Sequence, residues 1–148
     1  MRIAPCLVIS VKKHFNPGTL KRILFASDFE ETGFSNSFKL IKNFALDLGA
    51  KIDFAFVNTP QKFIDSNTIE KRIKDFSATQ REIKPHIFIH DDYTKEEGII
   101  NLTIKLKSNI VALVTHNRKG KKNYAFGITE TILFHSDIPV LSQVIFIS

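Results

Sequence analysis

The sequence predicts an α/β fold of three layers, with a parallel sheet between helices on both faces. Three observations predict it. From Lys21 onward, strand-like and helix-like segments alternate four times, and one last strand closes the chain. That order builds parallel sheets through helical crossovers. Each of the first three helix-like segments carries an apolar stripe, so each can cover a sheet with one face. Residues 110–130 run from a β-branched strand through a basic loop to Gly127 and a helix start. In such an arrangement loop N–H groups and the positive end of a helix face an anion.

The elements follow in order. Residues 4–10 (APCLVIS) read as a short strand, and 11–20 as a linker turning at Asn16-Pro17-Gly18. Residues 21–27 (KRILFAS) are a strand with a buried apolar centre, and Asp28 stands at its carboxyl end. From Thr32 the apolar residues Phe34, Phe38, Ile41, Phe44, Ala45 and Leu48 share one helical face, and Gly49 ends that helix. Residues 52–57 (IDFAFV) form the next strand. A helix over 67–82 follows with Ile69, Ile73 and Phe76 as its stripe. Pro85 stops it, and 86–90 read as a strand. Residues 96–107 are a helix carrying Ile99, Leu102 and Leu106. Residues 109–115 are a strand, the polar loop begins at Thr115, residues 128–135 are the fourth helix, and 140–147 are the final strand.

Length and composition narrow the function classes. A chain of 148 residues is one domain by size, with room for a core, and 14 Phe with no Trp make that core Phe-rich. The net charge of +6 permits a polyanion partner, but Lys and Arg are spread along the whole chain. No aromatic platform or recognition helix accompanies the RKGKK run at 118–122, which reads as a solvated loop and argues against nucleic acid. Cys6 is the only cysteine, which excludes an internal disulfide and points to a reducing, cytoplasmic compartment. No apolar run approaches the roughly 20 residues that span a bilayer, so no membrane partner is expected. The His residues lack metal-like spacing, so no metal site is read. Asp91 and Asp92 precede a helix, where carboxylates are expected from the dipole alone. No nucleophile elbow, Walker loop or paired catalytic carboxylates appear, and no residue is assigned a catalytic role.

Four segments in this order and spacing carry a resemblance: ILFASDFEET, DLGAKIDFAFV, EEGIINLTIKLKSNIVALVTHNRKG and GITETILFHSDIPVL. The chain resembles the universal stress protein family from Lys21 to about Ser142. The resemblance implies a Rossmann-like fold of the adenine nucleotide alpha hydrolase type. Its five parallel strands are expected in the order 3-2-1-4-5, with dimerisation through the last strand. It also implies that some members bind ATP with magnesium while others lack the site.

Carried over position by position, Asp28 matches the Asp after the first strand. Ala26 stands where Pro is common, with Ser27 between them. Val57 matches the Val beside the base. The first two glycines of the phosphate loop fall on Val114 and Asn117, the third on Gly127, and its hydroxyl on Ile128, with Thr129 next. A glycine allows backbone to approach phosphate and to adopt positive φ. Val114 places a branched side chain there, Asn117 is a tolerable substitute, and Ile128 offers no hydroxyl. His116, Arg118, Lys119 and Gly120 complete the candidate nucleotide residues, with Lys121 and Lys122 adding charge.

The pattern Ala4-Pro5-Cys6-Leu7 echoes Ile138-Pro139-Val140-Leu141, the way a domain of this type ends. Residues 1–20 are therefore read as the strand and linker left from a preceding domain, with an ordinary N-terminal extension as the alternative, and 21–148 as the second domain of a tandem protein. On that reading residues 4–10 pair with the 140–147 edge of the same or a partner chain. A last strand as apolar as VLSQVIFI is a long exposed edge in a monomer, which predicts a homodimer, or a pseudo-dimer with a second copy of the domain. The expected function is a non-catalytic stress-response or regulatory module with a degenerate nucleotide site and an unknown protein partner. The alternative is an ATP-binding sensor or slow ATPase using the loop after the fourth strand. A flavodoxin-like binder shares the fold class and rests on fold analogy alone.

Overall fold

A computed structural model describes residues 3–12, 16–29, 38–84, 86–117 and 128–147. In these residues the chain forms β1 (Ile3–Ser10), β2 (Arg22–Ala26), α1 (Lys39–Leu48), β3 (Lys51–Asn58) and α2 (Ser66–Ala78). It continues with β4 (His86–Asp91), α3 (Lys95–Leu106), β5 (Ile110–Asn117), α4 (Ile128–His135) and β6 (Val140–Ile147). The expected linker contains one turn of 3-10 helix, Pro17–Thr19.

Local chemistry sets several boundaries. Gly49, at φ 64°, ends α1, and Ala50 N–H donates to Ala45 O at 2.9 Å, the left-handed stop that glycine favours. Asp65 opens α2, its carboxylate accepting from Thr68 N–H at 3.0 Å and from the Thr68 hydroxyl at 2.6 Å. α2 stops at Ala78, four residues short of the expected Glu82. There the Thr79 hydroxyl donates to Phe76 O at 2.7 Å, and Gln80 and Ile83 fold into tight turns. These local bonds offer the backbone an alternative to another helical turn. Thr94 caps α3 by accepting from Glu97 N–H at 3.2 Å.

The sheet order is β1-β6-β5-β2-β3-β4. β2 to β6 run parallel, in the order β4-β3-β2-β5-β6, and β1 lies antiparallel on β6. The expected five-stranded sheet is thus corrected to a mixed sheet of six. The extra strand is the one the N-terminal echo suggested, and it pairs within the same chain. Ile3 lies opposite Ile147 and Ser10 opposite Val140, so the pairing runs along the full strand. The long exposed edge expected at β6 is therefore absent, because β6 is bonded to β5 on one side and to β1 on the other. The edge strands are β1 and β4.

A parallel sheet needs both faces covered, and two cores do so. On one face Ile23, Phe25, Ile52, Phe54 and Phe56 pack against Ile41 and Ala45 of α1 and Ile69, Ile73 and Phe76 of α2. Phe25, Phe29, Phe38, Phe54 and Phe76 form a cluster there, with ring centroids as near as 4.6 Å between Phe25 and Phe38. On the other face Leu24, Ala26, Ala55, Val57, Val111 and Leu113 pack against Ile99 and Leu102 of α3 and Ile128 and Ile132 of α4. Among the described residues Asp53 is the charged side chain buried in the sheet, and Arg22 Nε meets its carboxylate at 2.5 Å.

Deletion of residues 1–12 strips β6 of its outer partner and leaves an apolar, unpaired edge of the kind that recruits another chain. The truncated protein should associate in a concentration-dependent way in sedimentation velocity, at concentrations where the full chain does not. Equal behaviour of the two would show that β1 does not protect this edge.

Candidate functional site

The chain steps outward from β2 to β3 and β4, then returns past β2 to form β5 and β6. The order reverses between β2 and β5, and open α/β sheets bind ligands at the strand carboxyl ends beside such a reversal. Ala26 pairs with Ala55, so Asp28, two residues past the end of β2, and Val57, next to last in β3, stand at neighbouring strand ends on this edge. Ser27 N–H donates to Ala55 O at 3.2 Å and extends the ladder by one residue. The chain then turns sharply: Phe29 N–H donates to Ser27 Oγ at 3.1 Å, and Phe29 takes φ 53°. A non-glycine residue in that region is strained by about 1 kcal/mol or more. The strain is held by packing, since the Phe29 ring lies 5.4 Å from Phe76, 5.9 Å from Phe25 and 6.0 Å from Phe54. The aromatic core thus fixes the turn that carries half-buried Asp28.

The other expected site residues lie in different settings. Ala26, Val57 and Ile128 come together, but as members of one buried apolar cluster, each at most 2% exposed. Val114 is also buried, on the opposite face with the phenylalanine core. His116 and Asn117 do not begin a loop as expected. β5 continues through them, with His116 opposite Ile145 and Asn117 opposite Phe146. Pairing with the long strand β6 carries the ladder past the point where side-chain polarity changes. Thr129 lies in the first turn of α4. Arg118, Lys119, Gly120, Lys121, Lys122 and Gly127 lie outside the described residues.

One strand further out, the structure assembles a polar centre that sequence reasoning passed over. Asp92 stands just before a helix start, but Thr94 does the capping. Asp92 instead gathers three donors: Asn101 Nδ2 at 2.9 Å, Tyr93 N–H at 2.8 Å, and His90 Nε2 at 3.2 Å in the tautomer that donates there. Its own N–H donates to Asn58 O at 2.9 Å, which ties it to the end of β3. The Asn101 bond, then the Tyr93 bond, hold its carboxyl below the ordinary 3.8, against a smaller opposing effect of burial. The only sequence trace of this centre is a His-x-Asp with an Asn nine residues on, too short a pattern to stand out. The centre borders a cavity of about 540 Å³. Among the described residues no group of three or more His, Cys, Asp or Glu is placed to hold a metal ion, and no helix is long and apolar enough to cross a membrane.

Gly98 is what lets α3 reach this edge. A Cβ there would overlap both methyls of buried Val57 and crowd Asp92 Cβ. Glycine therefore sets the close approach of helix and strand, and Asn101, one turn on, comes within reach of Asp92.

No protein-family model and no curated protein matches the chain, whereas solved structures do. A universal stress protein in complex with cAMP is 12% identical, with a TM-score of 0.54 over 86% of this chain and 96% of that one. A universal stress protein from Archaeoglobus fulgidus in complex with dAMP is 9% identical, with a TM-score of 0.62 over 83% and 97% of the two chains. Another, from Archaeoglobus fulgidus DSM 4304, is 16% identical with a TM-score of 0.62, and 83% of this chain spans 44% of that one. At these identities the likeness is one of fold, and the chain has the fold of universal stress proteins.

Two outcomes follow from the geometry. Gly98→Ala should lower unfolding stability by about 1–3 kcal/mol in urea titrations, the usual cost of overpacking a core. A neutral result would mean that α3 lies further from Val57. For Asp92 the folded-state pKa is depressed, so the ionised carboxylate adds stability above its unfolded value, and that gain is lost as pH falls through the folded value. The stability gap between wild type and Asp92→Asn should hold from about pH 7 to about pH 5 and shrink as pH falls through and below about 4. A gap that ignores pH would show that the charge itself plays no part.

Proposed function

We propose, taking the universal stress protein fold as the premise, that this chain is a non-catalytic stress-response or regulatory module with a degenerate nucleotide crevice. The observation that carries the reading is the packing of Ile128. It stands where the resemblance places a phosphate-binding hydroxyl, and it is 2% exposed in the same core cluster as Ala26 and Val57. Buried Val114, in place of a glycine, supports the same conclusion. At these two positions the residues do not fit a phosphate, because neither offers a hydroxyl or a bare backbone approach. A reducing cytoplasmic setting suits a chain whose single cysteine, Cys6, is exposed and unpaired.

A second reading, an ATP sensor or slow ATPase with ATP and magnesium against Asp28, Val57 and residues 117–129, is favoured by one finding. Neighbours of the same fold were solved with cAMP and dAMP. Asp28 at the reversal edge also suits that reading.

For assembly, the pairing of β1 with β6 supports a pseudo-dimer. β1 takes the place of a partner's strand, as a remnant of a preceding domain, and residues 21–148 form the second domain. The neighbour of which this chain spans 44% has length enough for two such domains, which agrees with that reading. Pairing of β6 with a second copy would require β1 to leave.

Calorimetry with ATP and magnesium separates the two readings. The degenerate crevice should give no heat, or weak binding at low salt that physiological salt abolishes. Saturable one-site binding in the micromolar range at physiological salt would overturn the proposal in favour of the sensor.

A further inference from the structure

We propose that the cavity beside Asp92 is a binding site for a small organic cation, an ammonium or guanidinium compound. It lies at the carboxyl ends of β3 and β4, one strand away from the β2–β5 reversal, and does not depend on the phosphate loop. Its volume of about 540 Å³ is in the range of small-ligand pockets.

Three features select the ligand. The first is aromatic. Tyr93 is 80% exposed and Phe63 is 68% exposed, and both line the cavity. Neither sits on a loose segment. The Asn58 amide clamps the Phe63 loop by donating to Ile64 O at 2.7 Å and accepting from Ile64 N–H at 2.9 Å. Asp92 Oδ1 accepts from Tyr93 N–H. Two exposed aromatic side chains lining one cavity are the groups that attract a cation through the electron-rich faces of their rings.

The second feature is charge. Asp91 and Asp92 line the cavity, and the bonds to Asp92 keep it ionised at neutral pH. No Lys or Arg lines it among the described residues, in a chain that has 21 of them. An anion such as a phosphate finds no counter-charge there. The third feature is the hydrogen-bonding inventory. The carboxylates of Asp91 and Asp92 and the Asn101 carbonyl oxygen are acceptors, so the cavity matches a ligand rich in donors.

The test titrates the full-length protein with choline and with agmatine, followed by amide chemical shifts and calorimetry. 3,3-Dimethylbutan-1-ol serves as the neutral isostere of choline. Saturable binding of either cation is expected, with shifts centred on residues 58–63 and 90–101. Binding should weaken by about tenfold in Tyr93→Leu or Phe63→Leu, which keep apolar bulk but remove the aromatic face. The neutral isostere should bind at least about tenfold less well. Both positions are exposed, so the variants should fold, and circular dichroism checks this. The proposal is overturned if neither cation gives saturable binding, if the isostere binds as well as choline, or if both leucine variants bind like wild type.

Discussion

The constraint on which this structure depends is the double coverage of β2. All but the first residue of this five-residue strand are buried: Ile23 and Phe25 face one core, and Leu24 and Ala26 the other. A strand so placed can only be central. Its neighbours must lie on both sides, so the chain must cross over it, and the crossing creates the reversal between β2 and β5. The phenylalanine cluster then acts at the same point. Phe29 is drawn back into it through a left-handed turn, and the strand end beside the reversal is set by core packing rather than by loop chemistry.

The same packing explains why the reversal edge and the Asp92 centre differ. Near the reversal, Ala26, Val57, Val114 and Ile128 are apolar and have joined the two cores. One strand outward, the apolar layer is thinner. β4 is an edge strand whose residues are only partly buried, and polar groups converge there without disrupting a core. Gly98 couples the two regions, because its lack of a side chain brings α3 down onto Val57 and carries Asn101 to Asp92.

Much of the fold was legible because periodicity and punctuation agree. The strands around Phe25 and Phe54 and the helix with Ile99 and Leu102 lie where their apolar residues put them, and Gly49 ends a helix as its position suggests. The ends that moved did so for local or cross-strand reasons. Thr79 and Gln80 turned the chain before Glu82, and β6 drew β5 on through Asn117. The site was less legible. Asp28 could be picked out at a strand end, but the roles of His90, Asp92 and Asn101 depend on which groups meet across a helix, a strand and a loop.

By itself the sequence determined the alternation of elements, the two-sided apolar character of the central strands, and the absence of glycine and hydroxyl at positions 114 and 128. These are properties of single segments, set by side-chain chemistry and spacing along the chain. The tertiary structure alone decided that β1 folds back on β6 within one chain, that Phe29 accepts a left-handed backbone, and that Asp92 becomes a hub. Each of these depends on bonds and contacts between residues distant in sequence or on backbone geometry imposed by packing, and no local pattern encodes which of several permitted partners a group will find.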